Sequence, residues 1–228
     1  MVERQRSILS KCVVCKRHSA KKLDILTASL PEDRIREAAA FEICGIDLAG
    51  PPFLRDNKKS WACLFTCAVY RAVHIELVTS LSTQSFLLAL RRFIARRGRC
   101  SIIYCDNGSN FVGASNLLSN LDWSLIVNDT ALHPIKWKFN PPTASWWGGW
   151  WERLIGILKR LRRVLGRSSL TYEQMTTVLC DSEAIINSRP MTYVTDNDAE
   201  LVPLTPSMFL QDIKVSGVPD CDKADHQS

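Results

Sequence analysis

Three carboxylates stand in settings that suit metal-dependent chemistry at phosphorus. Asp47 closes the apolar run Ile43-Cys44-Gly45-Ile46 and is followed by Leu48-Ala49-Gly50-Pro51. Asp106 closes Ile102-Ile103-Tyr104-Cys105 and opens the small polar turn Asn107-Gly108-Ser109-Asn110. Glu152 follows Trp146-Trp147-Gly148-Gly149-Trp150-Trp151 and starts a basic amphipathic stretch. Carboxylates that converge from separate elements can hold two divalent ions, and two such ions can drive in-line displacement at a phosphorus atom. Each acid also has an ordinary structural reading. Asp47 could be a solvent-facing strand end, Asp106-Asn107-Gly108 a turn chosen for backbone reasons, and Glu152 an acid favoured by a helix dipole. The neighbours shift the balance toward chemistry. On a helix that begins at Glu152, Lys159 lies two turns along the same face, placed to meet a phosphate. Arg160 and Arg163 extend that flank. Trp146 is one of four tryptophans beside Glu152, and aromatic rings next to a basic helix can stack on unpaired bases. Asn110, at the end of the Asp106 turn, completes the candidate nucleic-acid contacts: Lys159, Arg160, Arg163, Asn110 and Trp146.

The pattern around these residues defines the elements that must carry them. Phe41 to Leu48, Trp61 to Tyr70 and the alternating Ala72 to Leu77 read as three strands, the last two joined by a turn at Tyr70-Arg71. Thr83 to Arg97 has helical spacing at 86, 87, 90, 93 and 94, with Gly98 as its stop. Ser101 to Cys105 is a short strand, Gly113 to Leu121 a short helix and Ile135 to Phe139 a further strand. Glu152 to Leu165 and Leu170 to Ser188 are helices, the second opened by Thr171. Three strands followed by alternating helices and strands predict an α/β domain with a mixed sheet.

Composition sets the outer limits. A chain of 228 residues with 46% hydrophobic content can build a real core and is not globally disordered. No apolar run is long enough to span a membrane, and the first residues lack the apolar centre of a signal peptide. The net charge of +6 is concentrated in two places. Arg91, Arg92, Arg96, Arg97 and Arg99 occur together without an acid. Arg153, Lys159, Arg160, Arg162, Arg163 and Arg167 follow Glu152. Such clusters are the footprint of a polyanion binder, or else two solvated helix faces. Nine cysteines without a secretory signal indicate a reducing compartment, with Cys44, Cys63, Cys67 and Cys105 as small buried hydrophobes. Cys12-Val13-Val14-Cys15 with His18 is half of a zinc site. A structural zinc takes four ligands, so zinc is not expected in this chain. Residues 1–36 are therefore expected to be a lead-in and 37–210 the main domain, with residues 211–228 a disordered tail.

Together the motifs resemble the D,D,E core of retroviral and LTR-retrotransposon integrases, in wording nearest the BEL/Pao group. The residues that carry the likeness are Gly45-Ile46-Asp47-Leu48-Ala49-Gly50-Pro51, Arg71-Ala72-Val73-His74-Ile75-Glu76, Asp106 to Phe111 and Trp146 to Leu154. The resemblance implies an RNase H-like fold, a five-stranded mixed sheet flanked by helices. It implies Asp47, Asp106 and Glu152 as catalytic ligands of two Mg²⁺ (or Mn²⁺) ions. It also implies DNA partners (element ends and target), a homo-oligomer in the active complex and work in the nucleus. The spacing from Asp106 to Glu152 is wider than in retroviral enzymes, with the surplus expected in Trp123 to Pro134. The N-terminal zinc module looks truncated, and no C-terminal DNA-binding module follows residue 210. Two other readings stay open: a nucleic-acid-binding or interaction remnant without catalysis, and an RNase H-like nuclease that only hydrolyses.

Overall fold

A computed structural model describes residues 12–13, 29–130, 133–141, 148–165, 170–193 and 203–210. The chain divides into two compact units, Met1–Pro31 and Glu32–Ser228. Most of the first unit lies outside the described residues, including Cys15 and His18 of the half zinc motif. So does the expected tail, 211–228.

The second unit is built on a sheet. Strands β1 (Ile43–Ala49), β2 (Trp61–Cys67) and β3 (Val73–Val78) form an antiparallel meander. Helix α1 (Thr83–Arg97) then returns the chain to β4 (Ile102–Cys105), which pairs parallel to β1. Helices α2 (Ser109–Ser119) and α3 (Trp123–Thr130) lead to β5 (Lys136–Phe139), parallel to β4. The sheet order is β3-β2-β1-β4-β5. Helices α4 (Gly149–Leu165) and α5 (Tyr172–Asn187) follow, then a two-residue ladder of β6 (Thr192–Tyr193) with β7 (Pro203–Leu204). The mixed sheet expected from the sequence is present, with β1 and β4 at its centre.

Strand alternation sends successive side chains to opposite faces, and each face buries its own apolar set. Cys44, Ile46, Phe65 and Ile103 pack with Phe86, Phe93 and Phe111 under α1 and α2. Ala49, Leu64 and Ile75 pack with Leu154, Ile155, Met175 and Leu179 of α4 and α5. The cysteines expected inside, Cys44, Cys63, Cys67 and Cys105, are all buried. Helix α1 starts where the Ser82 side chain accepts from the Ser85 N–H and stops at Gly98, whose φ of 87° suits glycine. Its buried positions, Phe86, Ala89, Leu90 and Phe93, follow helical spacing. A capping box of Thr171 and Gln174 opens α5.

Two features depart from the sequence expectation. The surplus between Asp106 and Glu152 folds as a separate helix, α3. Asp122 caps it by accepting from the Ser124 N–H, and the Trp123 indole donates to the Leu118 carbonyl. The basic cluster on α1 is also partly neutralised from within. Arg92 and Arg96 pair with Glu76 on β3, and Arg97 pairs with Glu183 on α5. His74 bridges both carboxylates. Three of the five arginines therefore compensate acids that are buried (Glu76) or half-buried (Glu183) and costly to leave unpaired.

Candidate active site

Asp47 and Asp106 leave the two central strands at matching positions. The parallel ladder pairs Ile43 with Ile102, Cys44 with Ile103 and Gly45 with Tyr104. Continued by two residues, the same register sets Asp47 beside Asp106. Both then point to the face covered by α4, because side chains two apart share a face. Asp47 is half-buried and its Oδ1 accepts from the Leu48 N–H at 2.7 Å. Asp106 is exposed and its Oδ1 accepts from the Gly108 N–H at 2.9 Å, which folds the turn back on itself. The Asn107 amide donates to the Asn140 carbonyl, and the Asn140 N–H donates to the Cys105 carbonyl. The turn after β4 is thus tied to the end of β5.

The first turn of α4 reaches this place because β1 has no side chain at position 45. A Cβ on Gly45 would lie 2.5 Å from the Trp151 ring and 2.7 Å from the Trp150 ring. Trp151 is buried against the sheet, and Tyr104 meets both indoles. A Cβ on Gly148 would lie 3.0 Å from Glu152 Oε1. The Gly-Ile-Asp and Gly-Gly-Trp-Trp-Glu motifs are therefore one packing unit. Glycines on strand and loop admit two tryptophans, and the tryptophans set down Glu152, exposed, on the Asp47 face.

The ionisation of Asp47 reports the convergence. Its pKa is raised to about 6, first by burial and then by the negative charges of Asp106 and Glu152. The Leu48 amide and the positive charge of Lys159 oppose the rise. Asp47, Asp106, Glu152 and Lys159 thus share one electrostatic neighbourhood. The three carboxylates are hard oxygen donors of the kind that Mg²⁺ takes, so in chemistry they fit such an ion. In position it is open: among the described residues, no three His, Cys, Asp or Glu groups stand close enough to hold a metal ion.

The remaining candidates fall out differently. Lys159 is exposed on α4. Arg160 and Arg163 lie on the same helix, and their side chains fall outside what the structure describes. Trp146 lies outside the described residues altogether. Asn110 is buried in the first turn of α2, where its Nδ2 has no hydrogen-bond partner. The sequence gives no site role to Arg34, Arg71 or Arg189, which line a cleft with Glu152 and Arg153. They come from three distant segments, and no local signal joins them.

No protein-family profile matches the chain, and no curated protein matches it by sequence. Solved structures do match in fold. One is a chain of the simian T-cell lymphotropic virus intasome in complex with the PP2A regulatory subunit B56 gamma. It is similar at a TM-score of 0.54 and 18% identity, over 96% of this chain and 70% of that one. Another is the HTLV-2 integrase catalytic core domain in complex with magnesium, in its dimeric form. The TM-score there is 0.50 at 17% identity, over 77% of this chain and 99% of that one. The fold is that of retroviral integrase catalytic cores. At these identities the likeness is one of architecture, the RNase H-like mixed sheet flanked by helices.

Proposed function

We propose that this chain is a polynucleotidyl transferase of DNA integration, working on the ends of a BEL/Pao-type LTR retrotransposon and joining them to target DNA. The observation that carries the reading is the shared neighbourhood of Asp47, Asp106, Glu152 and Lys159 at the carboxyl ends of the central strands. Ligands of open α/β sheets bind at such strand ends. Asp47, Asp106 and Glu152 would hold two Mg²⁺ or Mn²⁺ ions, which when bound supply an activated attacking oxygen and a stabilised leaving oxygen. Lys159 would contact a substrate phosphate, with Arg160 and Arg163 along the same helix and Asn110 and Trp146 at the margins. Phosphate contacts of this kind give affinity with little sequence choice. The solved HTLV-2 core, dimeric and in complex with magnesium, supports divalent ions and a homo-oligomeric active complex. The substrate would set its work in the nucleus. No helix among the described residues is long and apolar enough to cross a membrane.

The test is a short duplex carrying element-end sequence, incubated with the protein and Mg²⁺ or Mn²⁺. Nicking and joining are expected, and both should fall at least a hundredfold in Asp106→Asn. Activity unchanged in that variant would refute the assignment. The open ligand set favours one second reading, a DNA-binding module without catalysis. It predicts binding to the same duplex with neither nicking nor joining. Nicking without joining would instead indicate a nuclease.

A further inference from the structure

A cleft of about 630 Å³ opens beside Glu152, lined by Arg34, Arg71, Trp150, Arg153 and Arg189. Its volume lies in the range, roughly 300–1,000 Å³, of pockets that take one small ligand. Glu152 is its one acidic lining residue. Among the described residues, none of the four arginines pairs with a carboxylate. That sets them apart from Arg92, Arg96 and Arg97 of α1, which do.

Three of the four guanidinium groups, those of Arg34, Arg71 and Arg189, are held in place without an anion. Arg34 and Arg71 each lie 5.9 Å from the centre of the Trp150 ring, so one indole positions two cations. Arg34 belongs to a short 3₁₀ turn (Glu32–Arg34) anchored to the sheet through Asp33, which accepts from Tyr104 on β4 and Lys138 on β5. Arg71 sits in the β2–β3 turn at a φ of 59°, and its carbonyl accepts from Arg189. Arg189 also donates to the Ile186 carbonyl at the end of α5. Arg34 Nε is buried with no hydrogen-bond partner, a donor that costs stability until an acceptor meets it. An arginine stays charged even when burial disfavours it. Arg34 and Arg71 fixed on Trp150, Arg189 tied to two carbonyls and the exposed Arg153 surround one cavity without a paired carboxylate, and guanidinium groups match the oxygens of a phosphate.

We propose that this cleft binds a phosphate of a nucleic-acid strand beside Glu152, with Arg34, Arg71, Arg153 and Arg189 as its contacts. The proposal rests on Glu152 belonging to a nucleic-acid-processing site, but it concerns binding and is tested without catalysis. Fluorescence anisotropy of a labelled single-stranded oligonucleotide would be followed in EDTA across a salt series. The proteins compared would be wild type, Arg153→Gln, the double variant Arg34→Gln/Arg153→Gln, and Arg91→Gln on α1 as a charge control. The double variant should bind at least tenfold more weakly. Its slope of log affinity against log salt should fall by about 0.7, the value for one lost phosphate contact on a single strand. Arg91→Gln should bind within twofold of wild type. Binding within twofold in the double variant, an unchanged slope, or an equal loss in Arg91→Gln would overturn the proposal. Should Arg34→Gln loosen the fold, the exposed Arg153→Gln alone must still weaken binding and lower the slope.

A 5′-phosphorylated and a 5′-hydroxyl oligonucleotide distinguish the source of the phosphate. A tenfold preference for the former, lost in the double variant, assigns a terminal phosphate. Equal affinities, both lowered in the double variant, assign a backbone phosphodiester. The two readings fail separately. Unchanged nicking in Asp106→Asn refutes the catalytic assignment and leaves the cleft standing. Unchanged binding in the double variant refutes the cleft and leaves catalysis standing.

Discussion

Asp47 is the residue on which the candidate site's electrostatics converge, and the sign of its shift is informative. Its folded pKa of about 6 lies above the ordinary value of 3.8, with burial as the main cause and Asp106 and Glu152 adding to it. A raised carboxylate favours folding while it is protonated and loses that advantage as pH rises through about 6. Two units correspond to about 3 kcal/mol at 1.36 kcal/mol per unit. Because Asp47 is only half-buried, about 1–3 kcal/mol is the fair range. Metal-free Asp47→Asn should therefore melt above wild type at pH 8 and equal to it near pH 3.5, as read by calorimetry in EDTA. Mg²⁺ should raise the melting temperature of wild type and leave that of the variant unchanged. These acids were legible in the sequence because each stands at the end of a strong local pattern, an apolar strand or an amphipathic helix. The cleft arginines were not, since Arg34, Arg71 and Arg189 meet only through the fold.

At the scale of elements, the site depends on how closely α4 lies on β1. Gly45 permits the contact, and Gly45→Ala would drive a methyl into Trp151 and Trp150. Overpacking of this kind costs about 1–3 kcal/mol. Because the displaced helix carries Glu152, the variant should lose joining activity even where it remains folded. Urea melts and a joining assay on the same preparation would check both expectations. A second element contact carries its own pH signature. Burial alone would lower the pKa of His74, but Glu183 and Glu76 overcome this and raise it. Burial alone would raise Glu76 and Glu183, yet His74 first, and then Arg92 at Glu76 and the Ile75 amide and Arg97 at Glu183, hold them low. The His74 contribution is present below its unfolded value of about 6.5 and is lost as pH climbs through the higher folded value. The glutamates contribute above about 4.5 and lose it as pH falls through their lowered folded values. Stability from this network should thus be greatest between about 4.5 and 6.5. His74→Gln should flatten the alkaline side of the melting profile. Periodicity made the strands and the long helices readable. It did not reveal α3, whose eight residues fall between a polar turn and residues 131–132, too short a window for a helical period to stand out from its surroundings.

Across the whole molecule, the fold sorts two basic stretches of similar composition into different roles. In sequence, both α1 and α4 look like polyanion binders. In space, Arg92 and Arg96 of α1 face Glu76 on the neighbouring strand, and Arg97 faces Glu183, which comes from a helix far along the chain. No local pattern could have paired them. Lys159 stands exposed on the face that carries Glu152, and its positive charge lowers the pKa of Asp47. The two stretches should therefore answer oppositely to neutralisation. Lys159→Gln should lower the salt slope of DNA binding by about 1, as expected for one lost phosphate contact, while the melting temperature stays within a degree or two. Arg92→Gln should leave the slope unchanged and lower stability by about 1 kcal/mol, a modest cost because the guanidinium is partly exposed although Glu76 is buried. Measuring both quantities on both variants separates a binding face from a structural one. A fall in salt slope for Arg92→Gln equal to that for Lys159→Gln would show that the positive field acts as a whole, and the assignment of DNA to the α4 face would then be wrong.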